Sequence, residues 1–163
     1  QNTMIIVSHT TPLIGLASIQ RFYLLQELFS ELFIAQAVYH EAVVDGYERG
    51  GAKEVSTADW IQTVQVKNRL AVNVLLDEWD LGEAETIVLA GELHADWVLM
   101  DEKKGRMKWN QLGLKKIGTL GMLLKAKQVG LLPAVRPEIQ SLCKNGFSLS
   151  QRVIDEVLQQ ANE

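Results

Sequence analysis

The 163-residue chain has one cysteine, three prolines and no apolar run long enough to cross a bilayer. The lone Cys143 excludes an internal disulfide and a cysteine-rich metal site, and it suits a reducing cytoplasm. The missing long run excludes a membrane-spanning helix, and no signal peptide is visible at the N-terminus. An excess of positive charge is missing too: 16 Lys and Arg face 20 Asp and Glu, a net charge of −4. That balance argues against holding nucleic acid by bulk electrostatics, but it leaves room for an acidic pocket neutralised by metal ions. No glycine-rich loop follows the first apolar run, which weighs against a phosphate- or nucleotide-binding domain.

What is present reads as one globular domain over residues 1–163. The 47% hydrophobic and 22% charged content is that of a chain that buries a core. Gln1-Asn2-Thr3 is expected to be a processing remnant. Met4 to Val7 predicts a buried strand. Thr11 is expected to cap the next helix, with Pro12 at its first position. Further helices are predicted over 22–29, about 35–44, 52–58, 69–78 and from Asp80 to about His94. Strands are expected at 32–34, at 61–66 as an edge, at 97–100 and at 115–117. Lys103 to Leu112 reads as a basic, polar helix, and Gly118 to Gln128 as an apolar one. From about residue 133, C-terminal helices are expected to pack on the domain or on a dimer partner, the last capped by Ser150. The alternation implies a three-layer α/β/α domain around a central, mainly parallel twisted sheet of four to five strands. In such sheets the crevice lies beyond the carboxyl ends of the strands, where His9 and Asp101 both fall.

Asp101 follows the apolar run Trp97-Val98-Leu99-Met100, so it needs a partner, a hydrogen bond or a metal, unless it simply caps the next helix. Glu83 sits in the first turn of its helix. It fits a capping box with Asp80, yet it also heads the inward stripe Ile87, Ala90 and His94. Glu41, in Val38-Tyr39-His40-Glu41-Ala42, borders the apolar face of its own helix. Carboxylates gathered from distant segments suit Mg²⁺ or Mn²⁺, which prefer oxygen ligands and leave positions open for water and phosphate.

These segments, in this order, resemble a known family. Val7-Ser8-His9-Thr10-Thr11-Pro12-Leu13-Ile14 is similar to the opening motif of PIN domains, a strand and an acid followed by Ser/Thr and an apolar helix. Phe33 to Glu41, Leu81 to Ala90 and Trp97 to Arg106 resemble the segments that carry the family's second, third and fourth acids. Gly118 to Lys127, with Gly130-Leu131-Leu132-Pro133, is similar to a prokaryotic PIN-like branch that looks like the toxin halves of VapC-type toxin–antitoxin pairs. The resemblance implies a metal-dependent endoribonuclease with RNA as substrate and a small antitoxin as partner; a homodimer is expected from the apolar stripe of the C-terminal helices, and a cytoplasmic setting from the lone cysteine. Carried over residue by residue, Glu41, Glu83 and Asp101 would bind Mg²⁺ or Mn²⁺ and, with His9, form the catalytic set. Glu102 would assist, Thr10 would support through its hydroxyl, and Glu85 is the alternative to Glu83.

His9 departs from the pattern, because the family usually has a metal-binding acid at that position. An imidazole there would act as a nitrogen ligand, as a substrate or proton-transfer group, or as the mark of a degenerate site that binds without cutting. A buried structural histidine is the plain alternative. His40 and His94 read as structural or exposed.

Overall fold

The computed structural model describes residues 4–46, 50–101 and 109–163. Its centre is a five-stranded sheet built from β1 (Ile6–Ser8), β2 (Leu32–Ala35), β3 (Ile61–Val64), β4 (Trp97–Leu99) and β5 (Lys116–Ile117). The strands are all parallel, in the order β3-β2-β1-β4-β5. Buried parallel strands read as continuous apolar runs because both faces are covered, and Ile6, Val7, Val98 and Leu99 are fully buried. β3 lies at one edge, as expected, but its neighbours Gln62 and Thr63 are both exposed, so burial does not alternate along the strand because neither face is fully covered there.

Crossover helices cover both faces. α1 (Thr10–Ser18) follows β1 and α2 (Tyr23–Phe29) precedes β2. α3 (Gln36–Tyr39) runs directly into a π-helical turn (His40–Val44), and α4 (Ala52–Thr57) leads to β3. α5 (Arg69–Leu75) and α6 (Leu81–Glu92) come next. A 3-10 turn (Trp109–Leu112) precedes β5, and α7 (Thr119–Gln128), α8 (Arg136–Lys144) and α9 (Gln151–Gln160) complete the chain. α6 packs against β1, β2, α3 and α5, while α7 packs against α1 and α9. The result is the three-layer α/β/α arrangement that the alternation of elements predicts.

The apolar stripes of the last two helices are used inside the chain. Ile139 and Leu142 of α8 and Val157 and Leu158 of α9 belong to the same buried cluster as the sheet. Each such side chain stabilises the fold by about 1.5–3 kcal/mol when fully buried. Glu163 fastens this region. Its carboxylate accepts hydrogen bonds from the Val135 and Arg136 amides at 2.7 and 2.9 Å and from Lys127 Nζ at 3.0 Å.

Three local expectations need correction. α1 begins at Thr10, two residues before the expected Pro12, with His9 at its N-cap position, so Thr11 and Pro12 lie inside its first turn and the Thr10 hydroxyl bonds Glu41. The helix expected over 35–44 changes to the wider π geometry at His40, with the Asp45 amide bonded to the His40 carbonyl at 2.8 Å. Ser150 stands at the N-cap of α9, but its hydroxyl makes no capping bond. The helix expected over 103–112 falls mostly outside the described residues, and its end is the 3-10 turn at Trp109.

Candidate active site

β1 has β2 on one side and β4 on the other, so the direction of winding reverses between β1 and β4. A crevice opens beyond the carboxyl ends of the strands at such a reversal. The register pairs Ser8 with Leu99, and the His9 amide donates to the Leu99 carbonyl at 2.8 Å. Two strand ends are thereby clamped together, with His9 leaving one and Asp101 soon following the other.

His9 has extended backbone and its ring does not cap α1. The residue is 7% exposed, and among the described residues neither ring nitrogen has a hydrogen-bond partner. A buried polar group left in this way costs about 1–3 kcal/mol, so the arrangement is not explained by stability. Nε2 lies 3.8 Å from Glu41 Oε1, beyond hydrogen-bond length.

Glu41 is delivered by the π-helical turn, a geometry found often at functional sites. Its Oε1 accepts from the Thr10 hydroxyl at 2.6 Å, which ties it to the residue beside His9. Its carboxylate rests on Gly82 in the first turn of α6, and a Cβ at that position would collide with both carboxylate oxygens. A side chain at 82 would therefore force the Glu41 carboxylate to move.

Asp101 is held by the start of α7. Its Oδ1 accepts from the Thr119 amide at 2.8 Å and its Oδ2 from the Thr119 hydroxyl at 2.6 Å. A Cβ at Gly118 would sit 2.6 Å from Oδ1. The carboxylate thus serves as a remote cap for α7, next to the helix's positive end.

The remaining acids separate by role. Glu83 completes a capping box: its amide donates to Asp80 Oδ1 at 2.8 Å and its Oε1 accepts from the Asp80 amide at 3.0 Å. Glu85 is buried, accepting from the Ala37 amide at 3.0 Å and pairing with Arg69 at 2.6 Å, so it joins α3, α5 and α6. Glu102 lies outside the described residues. His40 is exposed beside Asp45, and His94 is exposed at positive φ.

The structure therefore brings His9, Thr10 and Glu41 into contact and leaves Glu83 in its cap. Among the described residues no three His, Cys, Asp or Glu side chains stand close enough to enclose a metal by themselves. The donors nevertheless fit a divalent cation in kind. An imidazole without a protein partner faces a carboxylate, and Mg²⁺-type ions commonly take only one or two protein carboxylates and complete their shell with water and phosphate. Gly82, Gly118 and Thr119 also build the site. Their sequence signal was a glycine at a helix start, Gly82 in the first turn of α6 and Gly118 just before α7, which reads more readily as helix punctuation than as a cradle for a carboxylate.

No curated protein matches this chain. A family profile described as a PIN domain matches residues 5–163, spanning β1 through the last residue of α9 and the Glu163 fastening. The five-stranded parallel sheet with helices on both faces agrees with that profile. The chain belongs to the PIN-domain family, whose fold is nuclease-like.

Proposed function

We propose that this chain is a metal-dependent endoribonuclease, the toxin of a VapC-type toxin–antitoxin pair. The observation that carries the reading is the buried, unpartnered His9 ring facing Glu41 at the carboxyl end of β1, with Asp101 following β4 beside it in the sheet. Glu41 and Asp101 are the acids that would hold Mg²⁺ or Mn²⁺, with Glu83 joining them by leaving its capping box. Glu83 adjoins Gly82, the residue on which the Glu41 carboxylate rests. When bound, such a cation supplies Lewis-acid stabilisation of the charge that develops on a phosphodiester and a water of lowered pKa. The protein's own share is orientation. Thr10 fixes one oxygen of Glu41 and Thr119 fixes both oxygens of Asp101. The amino end of α1, directly after His9, favours an anionic phosphate nearby.

A cytoplasmic setting, a small antitoxin and a homodimer complete the reading. Ile139 and Leu142 of α8 and Val157 and Leu158 of α9 are covered within the chain, which leaves only Val153 of that α9 stripe exposed, at 37%. Leu70 and Val74 on α5, 75% and 65% exposed, are the better surface for a protein partner.

A second reading is favoured by two observations: His9 stands where the family usually has an acid, and the Glu83 carboxylate is engaged in its capping box. In it the domain acts by binding RNA or protein without cutting. RNA cleavage with Mg²⁺ or Mn²⁺, run on the wild type and on Asp101→Asn, Glu41→Gln and His9→Asp, separates the two. The nuclease reading expects cleavage that falls by roughly a hundredfold or more in the first two variants. Cleavage indifferent to both would remove the site, and activity found only in His9→Asp would establish the binding role.

A further inference from the structure

We propose that His9 turns the cation site of this chain into a mixed nitrogen–oxygen site that selects a first-row transition cation over Mg²⁺. The inference rests on the metal-dependent reading above and deepens it. Three observations on His9 and its neighbours lead to it.

The first is the orphaned ring. Buried polar side-chain atoms almost always have a partner, yet both nitrogens of His9, at 7% exposure, lack one among the described residues. The second is the spacing to Glu41. At 3.8 Å, Nε2 and Oε1 are too far apart to hydrogen-bond, but two donors each about 2.1 Å from one ion stand roughly 3–4 Å apart. The third is the support behind the carboxylate. The Thr10 hydroxyl at 2.6 Å and the close surface of Gly82 hold Glu41 in place, and groups of this kind orient a ligand and tune its affinity.

The chemistry of the pair then decides which ion it favours. Mg²⁺ demands oxygen ligands in near-ideal octahedral geometry and parts with its waters reluctantly. Imidazole suits transition cations, and replacing an oxygen donor by nitrogen shifts preference toward them. An aspartate at position 9 would give two carboxylates and suit Mg²⁺. A histidine gives one nitrogen and one oxygen.

The test uses the full chain, stripped of metal and loaded with Mn²⁺ as the probe. Pulsed electron paramagnetic resonance is expected to detect nitrogen coupling to Mn²⁺ in the wild type. His9→Gln and His9→Asp, which both retain His40 and His94, are expected to abolish it. Calorimetric titration is expected to give a Mn²⁺-to-Mg²⁺ affinity ratio at least about tenfold higher in the wild type than in His9→Asp. Mn²⁺ bound without nitrogen coupling, no Mn²⁺ bound at all, or an unchanged ratio would each overturn the inference. The wild-type spectrum needs no variant to fold. Neither measurement involves RNA, so the two readings fail separately. Nitrogen-coupled Mn²⁺ in a chain that cuts no RNA removes the nuclease and keeps the ligand, while cleavage without nitrogen coupling does the reverse.

Discussion

At the scale of single residues, the glycines carry as much of the site as the acids do. Gly82 has no side chain because the Glu41 carboxylate occupies the space that a Cβ would need. Gly82→Ala is expected to displace the Glu41 carboxylate, with a matching loss of RNA cleavage, and to forgo most of the stability that alanine otherwise adds to a helix. Gly91, in the same helix, is exposed, and a Cβ there would meet nothing. Gly91→Ala is therefore expected to raise stability by about 0.5–1 kcal/mol through the helix preference alone. Urea midpoints for the pair check the argument, and equal effects at both positions would contradict it. The acids show how far a sequence can be read. The charge and position of Glu41 and Asp101 are visible in the strand and helix patterns around them. The choice between Glu83 and Glu85 is not, because both lie in the first turns of one helix. What separates them is tertiary: Arg69 and the Ala37 amide reach Glu85 from other elements, and only the capping box of Glu83 is local.

At the scale of elements, the apolar strands and most helices are legible because burial imposes their periods. β4 and α6 fall within a residue or two of their predicted bounds. The π-helical turn that carries Glu41 is not legible, since a sequence that suits an α-helix suits a π turn equally and tertiary packing chooses between them. Nor does the start of α7 announce its second task of holding Asp101. That task leads to a test. Thr119 is 2% exposed, and Thr119→Val keeps its shape while removing the hydroxyl donor. The change leaves Asp101 Oδ2 without that donor and is expected to cost about 1–3 kcal/mol. Cleavage is expected to fall through kcat more than through KM. Thr119→Ser restores the donor and is expected to recover both quantities. A serine variant as impaired as the valine one would mean that the methyl group, not the hydroxyl, matters at this position.

At the scale of the whole molecule, Glu163 joins the end of α9 to the start of α8. The Val135 and Arg136 amides, with Lys127, hold its carboxyl down to about 2 from an ordinary 4.5. A value lower in the folded chain than in the unfolded one makes its contribution complete above about 4.5 and lost as the pH falls toward 2. Urea midpoints measured across that interval are expected to drop more steeply for the wild type than for Glu163→Gln. Parallel profiles would show that the contact adds nothing to stability. The fold class and its parallel sheet were open to the sequence, whereas this fastening was not, since it joins positions that only the folded chain brings together.

The placement of β1 also has a consequence in time. β1 is synthesised first among the strands, yet it sits at the centre of the sheet, between β2 and β4. Its carboxyl end is secured only when the His9 amide finds the Leu99 carbonyl, and Asp101 is fixed only when Thr119 arrives. Non-local pairings of this kind form slowly. A growing chain on the ribosome therefore carries His9, Glu41 and Asp101 well before it can assemble them. If the proposed nuclease activity holds, nascent copies are expected to stay inert toward the RNA around them until β5 and the first turn of α7 have left the exit tunnel.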